Sequence, residues 1–308
     1  SKKALGISFF TALLFAIHPV QVETVCWISA SKIVLSTFFY LSALICYIQY
    51  MRNSKWQYLL ARVVSSILAM GCKEQSVIIV PCLLLFDWML FKRNMRSLKV
   101  YIEKVYYLIP AIAIFIVTLV ANKDTGEEII GYTIVDRFIF LCYSVFKYLL
   151  ISAIPFKLSY LYPFPFQVGE KIPMALWIYP FVILFIGYVI YLNRRKPLLV
   201  FCTLFFILHL LPVLHVIPLP RYVVAADRYL YIPYIAFAIG LSILSYHLYE
   251  RQRKWILYAG FLYCSYLCIY TADYAPAWKN SDTLKEHFKE VLKKRETNLS
   301  INYKNEKQ

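Results

Sequence analysis

The chain has 308 residues, is 61% hydrophobic and 18% aromatic, carries only 16% charged residues and has a mean hydropathy of +0.60. A soluble core of this size cannot bury that much apolar surface, so the composition excludes an ordinary soluble enzyme and makes lipid the solvent for most of the chain. The formal net charge of +16 does not indicate nucleic acid, because Lys and Arg sit in short clusters between apolar runs, which is an orientation signal for membrane insertion.

The apolar runs fall roughly at 4–17, 33–50, 56–70, 75–91, 105–121, 138–155, 174–192, 197–217, 229–248 and 255–273. In lipid, only helices satisfy the backbone of such stretches, so an all-α polytopic bundle is predicted. The first run is shorter than the ~20 residues a span needs, and further elements upstream of Ser1 are expected. Lys2 and Lys3 before it imitate a signal peptide, but His18-Pro19 makes a poor cleavage site. Four basic loops are expected to face the cytoplasm: Arg52 and Lys55; Lys92, Arg93, Arg96, Lys99 and Lys104; Arg194, Arg195 and Lys196; and Arg251, Arg253 and Lys254. With every run crossing once, the Arg194 loop would fall on the wrong side. One run between it and Lys104 therefore should not cross. The weakest is 138–155, with Arg137 at its start, Lys147 in its middle and the Tyr- and Pro-rich exit YLYPFPF. It is expected to lie in the interface or re-enter, leaving about nine spanning helices.

This topology sends nearly every interior acid to the non-cytoplasmic side: Glu23, Glu74, Asp124, Glu127, Glu128, Asp136, Glu170 and Asp227, with Lys32, Lys73, Arg221 and Arg228 among them. Ionisable groups in or beside a bilayer are expensive, and their convergence is the mark of a functional cavity. Residues 18–32, HPVQVETVCWISASK, combine His18, Glu23 and Lys32 between two spans. There Glu23 has the chemistry of a general base or metal ligand, and Lys32 or His18 that of a phosphate stabiliser. The competing reading is a wet interfacial helix anchored by Trp27. Lys73-Glu74 marks a break after Gly71; on a helix, adjacent residues point about 100° apart, so the two are expected to reach different partners. The competing reading there is a polar helix–helix turn. In Arg221-Tyr-Val-Val-Ala-Ala-Asp227-Arg228-Tyr229, an arginine suits a phosphate headgroup, with Asp227 orienting it. Tyr229 and Tyr231 also fit an interfacial belt.

Other signals are structural. His209 and His215 lie six residues apart, off ligand spacing, and are expected to pack. Asp87 reads as a buried hydrogen-bonding group. Of the eight cysteines, Cys46, Cys82, Cys142, Cys202, Cys264 and Cys268 lie in apolar runs, with neither metal spacing nor a disulfide framework. No Gly-rich phosphate loop, GxSxG elbow or HExxH motif is present, and with eight glycines GxxxG pairing is not a theme. Residues 274–308 form a separate polar tail. Leu284, Phe288, Val291 and Leu292 predict one amphipathic helix with Ser281 as N-cap, and Asn298-Leu-Ser300 fits a glycosylation sequon.

Three stretches carry a family resemblance. HPVQVETVCWISASK resembles "HPxHxEAVAWxSGRKD", GCKEQSVIIVPCLLLFDW resembles "SKExAxxxPxxLLLxDW", and AADRYLYIPYIAFAIGL resembles "xxRYLYLPSxGF". They occur in this order in the GT-C glycosyltransferases akin to the transmembrane and tetratricopeptide-repeat-containing O-mannosyltransferases and their bacterial relatives. The resemblance extends loosely through SYLYPFPF and the WKNSDTLKEHFKEV tail, which looks like the first helix of that family's repeat region. It implies transfer of a mannose-like sugar from a polyprenyl-phosphate carrier to a protein or glycan acceptor. The reaction would take place on the periplasmic or lumenal face of a bacterial inner membrane or ER membrane, with room for a divalent cation. His18, Glu23, Lys32, Lys73, Glu74, Asp227, Arg228 and Tyr229 match motif positions. His18, Glu23 and Glu74 are the catalytic candidates; Lys32, Lys73, Arg221, Asp227, Arg228 and Tyr229 are the lipid-phosphate binders. The sequence departs at Ala30-Ser31-Lys32-Ile33, where the family has Gly-Arg-Lys-Asp. The family's acidic pair in the first outer loop would lie upstream of Ser1. A flippase for an anionic lipid-linked sugar and a non-catalytic membrane scaffold are the alternative classes.

Overall fold

The computed structural model describes residues 2–121, 132–159, 161–215 and 223–289. Each of the ten apolar runs contains a helix. In chain order the helices are α1 (Lys2–Ile17), α2 (Val22–Cys26), α3 (Ser31–Asn53), α4 (Trp56–Cys72), α5 (Ile79–Met89), α6 (Leu98–Ile102), α7 (Val105–Ala121), α8 (Ile134–Ala153), α9 (Ile178–Leu192), α10 (Pro197–Leu210), α11 (Pro233–Arg251) and α12 (Arg253–Tyr274). No strand occurs among the described residues, where the extended pairing is one antiparallel bridge between Tyr162 and Ala225.

Local chemistry sets the boundaries. α3 stops where Ser54 turns left-handed at φ 54°, and the chain reverses at once into α4, making the most extensive helix pair in the molecule. Ser36 Oγ of α3 bonds the Ala69 carbonyl at 2.9 Å and Ser76 Oγ at 2.6 Å across that pair. Proline opens both α10 and α11, at the first turn where its missing N–H costs nothing. α11 packs against α1, α10 and α12, and α9 packs against α8.

Apolar side chains point both ways. On α9, which buries none of its residues, Phe181, Leu184 and Phe185 are about two-thirds exposed, as are Phe261, Leu262 and Ile269 on α12. Apolar faces of this extent need lipid. The interior instead is rich in tyrosine, with Tyr40, Tyr47, Tyr107, Tyr148, Tyr162 and Tyr234 among the largest fully buried side chains.

Three helical segments are long and apolar enough to cross a membrane: Ile28–Asn53, Met174–Leu192 and Arg253–Trp278. Lys2–Ile17 with Pro19–Cys26, bent by 56°, makes a fourth if taken as one broken span. This is fewer than the nine predicted from hydropathy, because several runs break up on folding. Run 75–91 divides into a 3-10 turn, Glu74–Ile78, and the 11-residue α5; run 197–217 yields the 14-residue α10. At 1.5 Å per residue these helices cover roughly 16 and 21 Å of a hydrocarbon layer about 30 Å thick. α8 carries Asp136, Arg137 and Lys147 and is not among the spanning candidates.

The tail helix occupies 281–289 in the described residues. Its cap is Asn280, not Ser281: the Asn280 side chain accepts from the Asp282 and Thr283 N–H groups at 3.0 and 2.8 Å, and its own N–H donates to Thr283 Oγ1 at 3.3 Å. Asn reaches these free donors as well as Ser does. Leu284 packs on the core. Val291, Leu292 and the Asn298 sequon lie outside the described residues, as do Asp124, Glu127, Glu128 and Arg221.

Candidate functional site

The 18–32 stretch folds as a short helical staircase. His18 is extended at φ −74° and ψ 127°, and its Nδ1 accepts from the Val20 N–H at 3.3 Å, capping the 3-10 turn Pro19–Gln21. Its ring lies on Tyr234 with centroids 4.3 Å apart, and is fully buried. Glu23, in the first turn of α2, is also fully buried. There it meets the third motif: its carboxylate accepts from Arg228 Nη1 at 2.5 Å and from the Arg228 backbone N–H at 2.9 Å, across 205 residues of sequence. The guanidinium carbon lies 5.6 Å from the Trp27 ring and 5.0 Å from the Tyr229 ring, which places two π faces against a cation. Both Glu23 oxygens are engaged, so in this arrangement Glu23 anchors Arg228.

Asp227 stands behind this pair, fully buried. Its Oδ1 accepts from the Tyr162 hydroxyl at 2.7 Å, while Oδ2 has no partner among the described residues. Burial, then the neighbouring Glu23 charge, push its carboxyl well above the usual carboxylate range. Tyr162 is itself held by the Ser159 N–H at 3.1 Å, and Lys147 Nζ sits 3.7 Å from its ring centre. The extended segment 223–226 is pinned to α8 by Ser144 Oγ, which donates to the Val224 carbonyl at 3.1 Å, and by the Tyr148 hydroxyl, which accepts from the Ala226 N–H at 3.2 Å. Lys147, Tyr148 and Tyr162 are residues that sequence reading missed as site components. Lys147 was visible only as a charge interrupting an apolar run, and Tyr162 only as part of an aromatic exit.

The second motif departs from expectation. Lys73 Nζ bonds directly to Glu74. Lys73 ends α4 in extended geometry, φ −150° and ψ 122°, so the helical 100° offset does not apply and neighbouring side chains can meet. Burial opposes ionisation of Glu74, yet Lys73, with a smaller contribution from Lys32, draws its pKa below the usual value. The structure thus joins Lys73 and Glu74 in one ion pair. Ala30 and Ile33 touch Tyr231, which links the start of α3 to the Arg228 turn.

The C-terminal end of α12 completes the cluster. Trp278 lies 6.0 Å from Trp27 and 6.3 Å from Tyr274, ring to ring. Around this junction, buried polar atoms without partners concentrate: His18 Nε2, both amide atoms of Gln21, Thr24 Oγ1, Asp227 Oδ2, the Tyr274 hydroxyl and Trp278 Nε1. Such groups are ordinarily satisfied by water or by a ligand carrying hydroxyls. Among the described residues no group of three His, Cys, Asp or Glu could hold a metal ion. His209 lies in hydrogen-bonded packing between the Phe205 carbonyl and the Tyr40 hydroxyl, and His215 Nε2, at 3.1 Å from the Val224 carbonyl, helps hold the segment that Ser144 pins. No family model, curated protein or solved structure matches the chain, so its resemblance to the glycosyltransferases rests on the three sequence stretches.

Proposed function

We propose that this protein is a membrane glycosyltransferase of the GT-C kind, moving a mannose-like sugar from a polyprenyl-phosphate carrier to a protein or glycan acceptor on the non-cytoplasmic face. The observation that carries this reading is the buried Glu23–Arg228 pair. It joins the first and third family-like stretches, with Asp227 and a set of unpartnered polar atoms around it. Arg228 holds its charge at any working pH and, with Lys32 and Lys73, provides the cationic grip for a lipid phosphate. The bond from the anomeric carbon to the phosphate oxygen breaks as the acceptor oxygen bonds to that carbon. The phosphate leaves with the electron pair, stabilised by the cations, and the acceptor's proton passes to a carboxylate.

The topology we propose keeps about nine crossings, with α8 lying in the interface. In support, the segment after α8 turns back along it: Tyr132 at its start donates to the Phe166 carbonyl at 3.0 Å, and Phe140 stacks on Phe166 with centroids 4.8 Å apart. Together α8 and its return make no net crossing, and the basic loops then share one side.

The test is transfer from radiolabelled polyprenyl-phosphate sugars to an acceptor pool by the full-length protein. Glu23→Gln and Arg228→Ala are each expected to lower turnover by at least about tenfold. Unchanged turnover in both would remove the site, and carrier movement across vesicles without sugar release would assign a flippase.

A further inference from the structure

A second polar cluster lies at the other end of the α3–α4 hairpin, and one of its members is unmatched. Arg62 of α4 is 2% exposed. Its guanidinium carbon lies 4.2 Å from the Tyr50 ring, 5.1 Å from Tyr47 and 5.8 Å from Tyr107. Its Nε and Nη1 have no hydrogen-bond partner among the described residues, and neither has the hydroxyl of Tyr107, which is 1% exposed. The nearby carboxylates are committed elsewhere. Asp87 accepts from Lys104 Nζ at 2.7 Å and from the Tyr47 hydroxyl, and Glu103 takes both guanidinium nitrogens of Arg93 at 2.6 and 3.0 Å. Three cations, Arg62, Arg93 and Lys104, therefore stand against two carboxylates, Asp87 and Glu103. Tyrosine faces soften the remaining charge, but they offer no acceptor to the guanidinium N–H groups. A buried cation without an acceptor is costly, and a phosphate supplies both charge and oxygens.

The segments leading into this corner have the composition of a membrane interface. Arg52, Lys55 and Lys99 are exposed, beside the exposed apolar Trp56, Leu98 and Tyr106. Basic heads over apolar flanks match a molecule with an anionic head and acyl chains. We propose that the α3–α4–α7 corner binds the phosphate of an anionic phospholipid through Arg62 and Tyr107, independently of the sugar-transfer site.

The test is thermal unfolding of the full chain in detergent, titrated with dioctanoyl phosphatidylglycerol, with dioctanoyl phosphatidylcholine, or with inorganic phosphate. Phosphatidylglycerol is expected to raise the Tm saturably, and the other two to leave it unchanged at equal concentration. Arg62→Gln should weaken the phosphatidylglycerol effect by at least about tenfold, and Tyr107→Phe by about threefold. An equal rise with phosphatidylcholine, or an unchanged affinity in Arg62→Gln, overturns the proposal. If Arg62→Gln does not fold, Tyr107→Phe, which removes one hydroxyl only, decides, and unchanged affinity there overturns it as well. A rise with inorganic phosphate that phosphatidylglycerol does not displace assigns the corner to soluble phosphate and overturns the lipid.

Discussion

α3 carries two polar clusters, with Lys32 at one end and Tyr47 roughly 22 Å along the helix toward the other. Around Tyr47, Asp87 is satisfied on both oxygens, by Tyr47 and Lys104, and Arg93 and Glu103 close a two-pronged pair beside it. Around Lys32 and the 18–24 turn, the Glu23–Arg228 pair is closed, but among the described residues Asp227, Gln21, Thr24 and His18 keep unpartnered atoms. Among the described residues the first cluster matches both of its acids and leaves idle groups only on Arg62 and Tyr107; the second leaves an acid, Asp227, partly idle as well. Both arise from the same chemistry, and the difference lies in how much of it the fold itself uses.

The comparison breaks first, and most severely, at Asp87. Asp87→Ala strands Lys104 in the interior and is expected to destabilise the protein by about 3–5 kcal/mol, whereas Asp87→Leu with Lys104→Met is expected to be close to neutral. Thermal unfolding of the two variants in the same detergent measures this, and an equally unstable double variant would show that the cluster does more than hold helices. Arg228→Ala leaves Glu23 buried without its counter-ion and is expected to cost about 3 kcal/mol, together with loss of carrier-phosphate binding in a filter assay. Retained binding would move the phosphate grip to Lys32 and Lys73 alone.

Asp227→Asn sharpens the contrast through pH. The folded pKa of Asp227 lies well above the usual carboxylate range, raised first by burial. The unfolded chain therefore releases this proton first, and the contribution to stability, complete below the pKa of the unfolded chain, declines as pH rises toward the folded pKa. Asn keeps the Tyr162 bond and does not ionise, so the variant should match the parent in acid and lose less stability on moving to neutral pH. Identical profiles would show that Asp227 is ionised in the fold. The smallest effect is at Glu74, whose pKa is lowered by Lys73. Its contribution is present above the ordinary glutamate pKa of the unfolded chain and fades as pH falls through the lower folded value, so Glu74→Gln should flatten the profile only on the acid side.

Much of this was legible in the chain. Each of the ten apolar runs contains a helix, the charged breaks at 18–32, 73–74 and 227–228 are where buried ionisable groups meet, and Asp87 is a buried hydrogen-bonding group, one of the two roles its place near the end of an apolar run allowed. What misled was local geometry. Lys73 and Glu74 were read as helical neighbours, but α4 ends in an extended residue and they pair. Ser281 was read as a cap, but Asn280 takes the position. Runs of spanning hydropathy contain short helices and 3-10 turns, because hydropathy reports the solvent of a segment and not the continuity of its backbone.

By itself the sequence determined a membrane protein made of helices, with its ionisable residues gathered in a few breaks, because lipid solvation acts on every residue according to its own chemistry. Only the tertiary structure decided that Glu23 holds Arg228, that Tyr162 holds Asp227 and that Arg62 is left unmatched. These partners are separated by up to 205 residues. Which side chains meet, and which go without, depends on the packing of helices that carry no local record of one another.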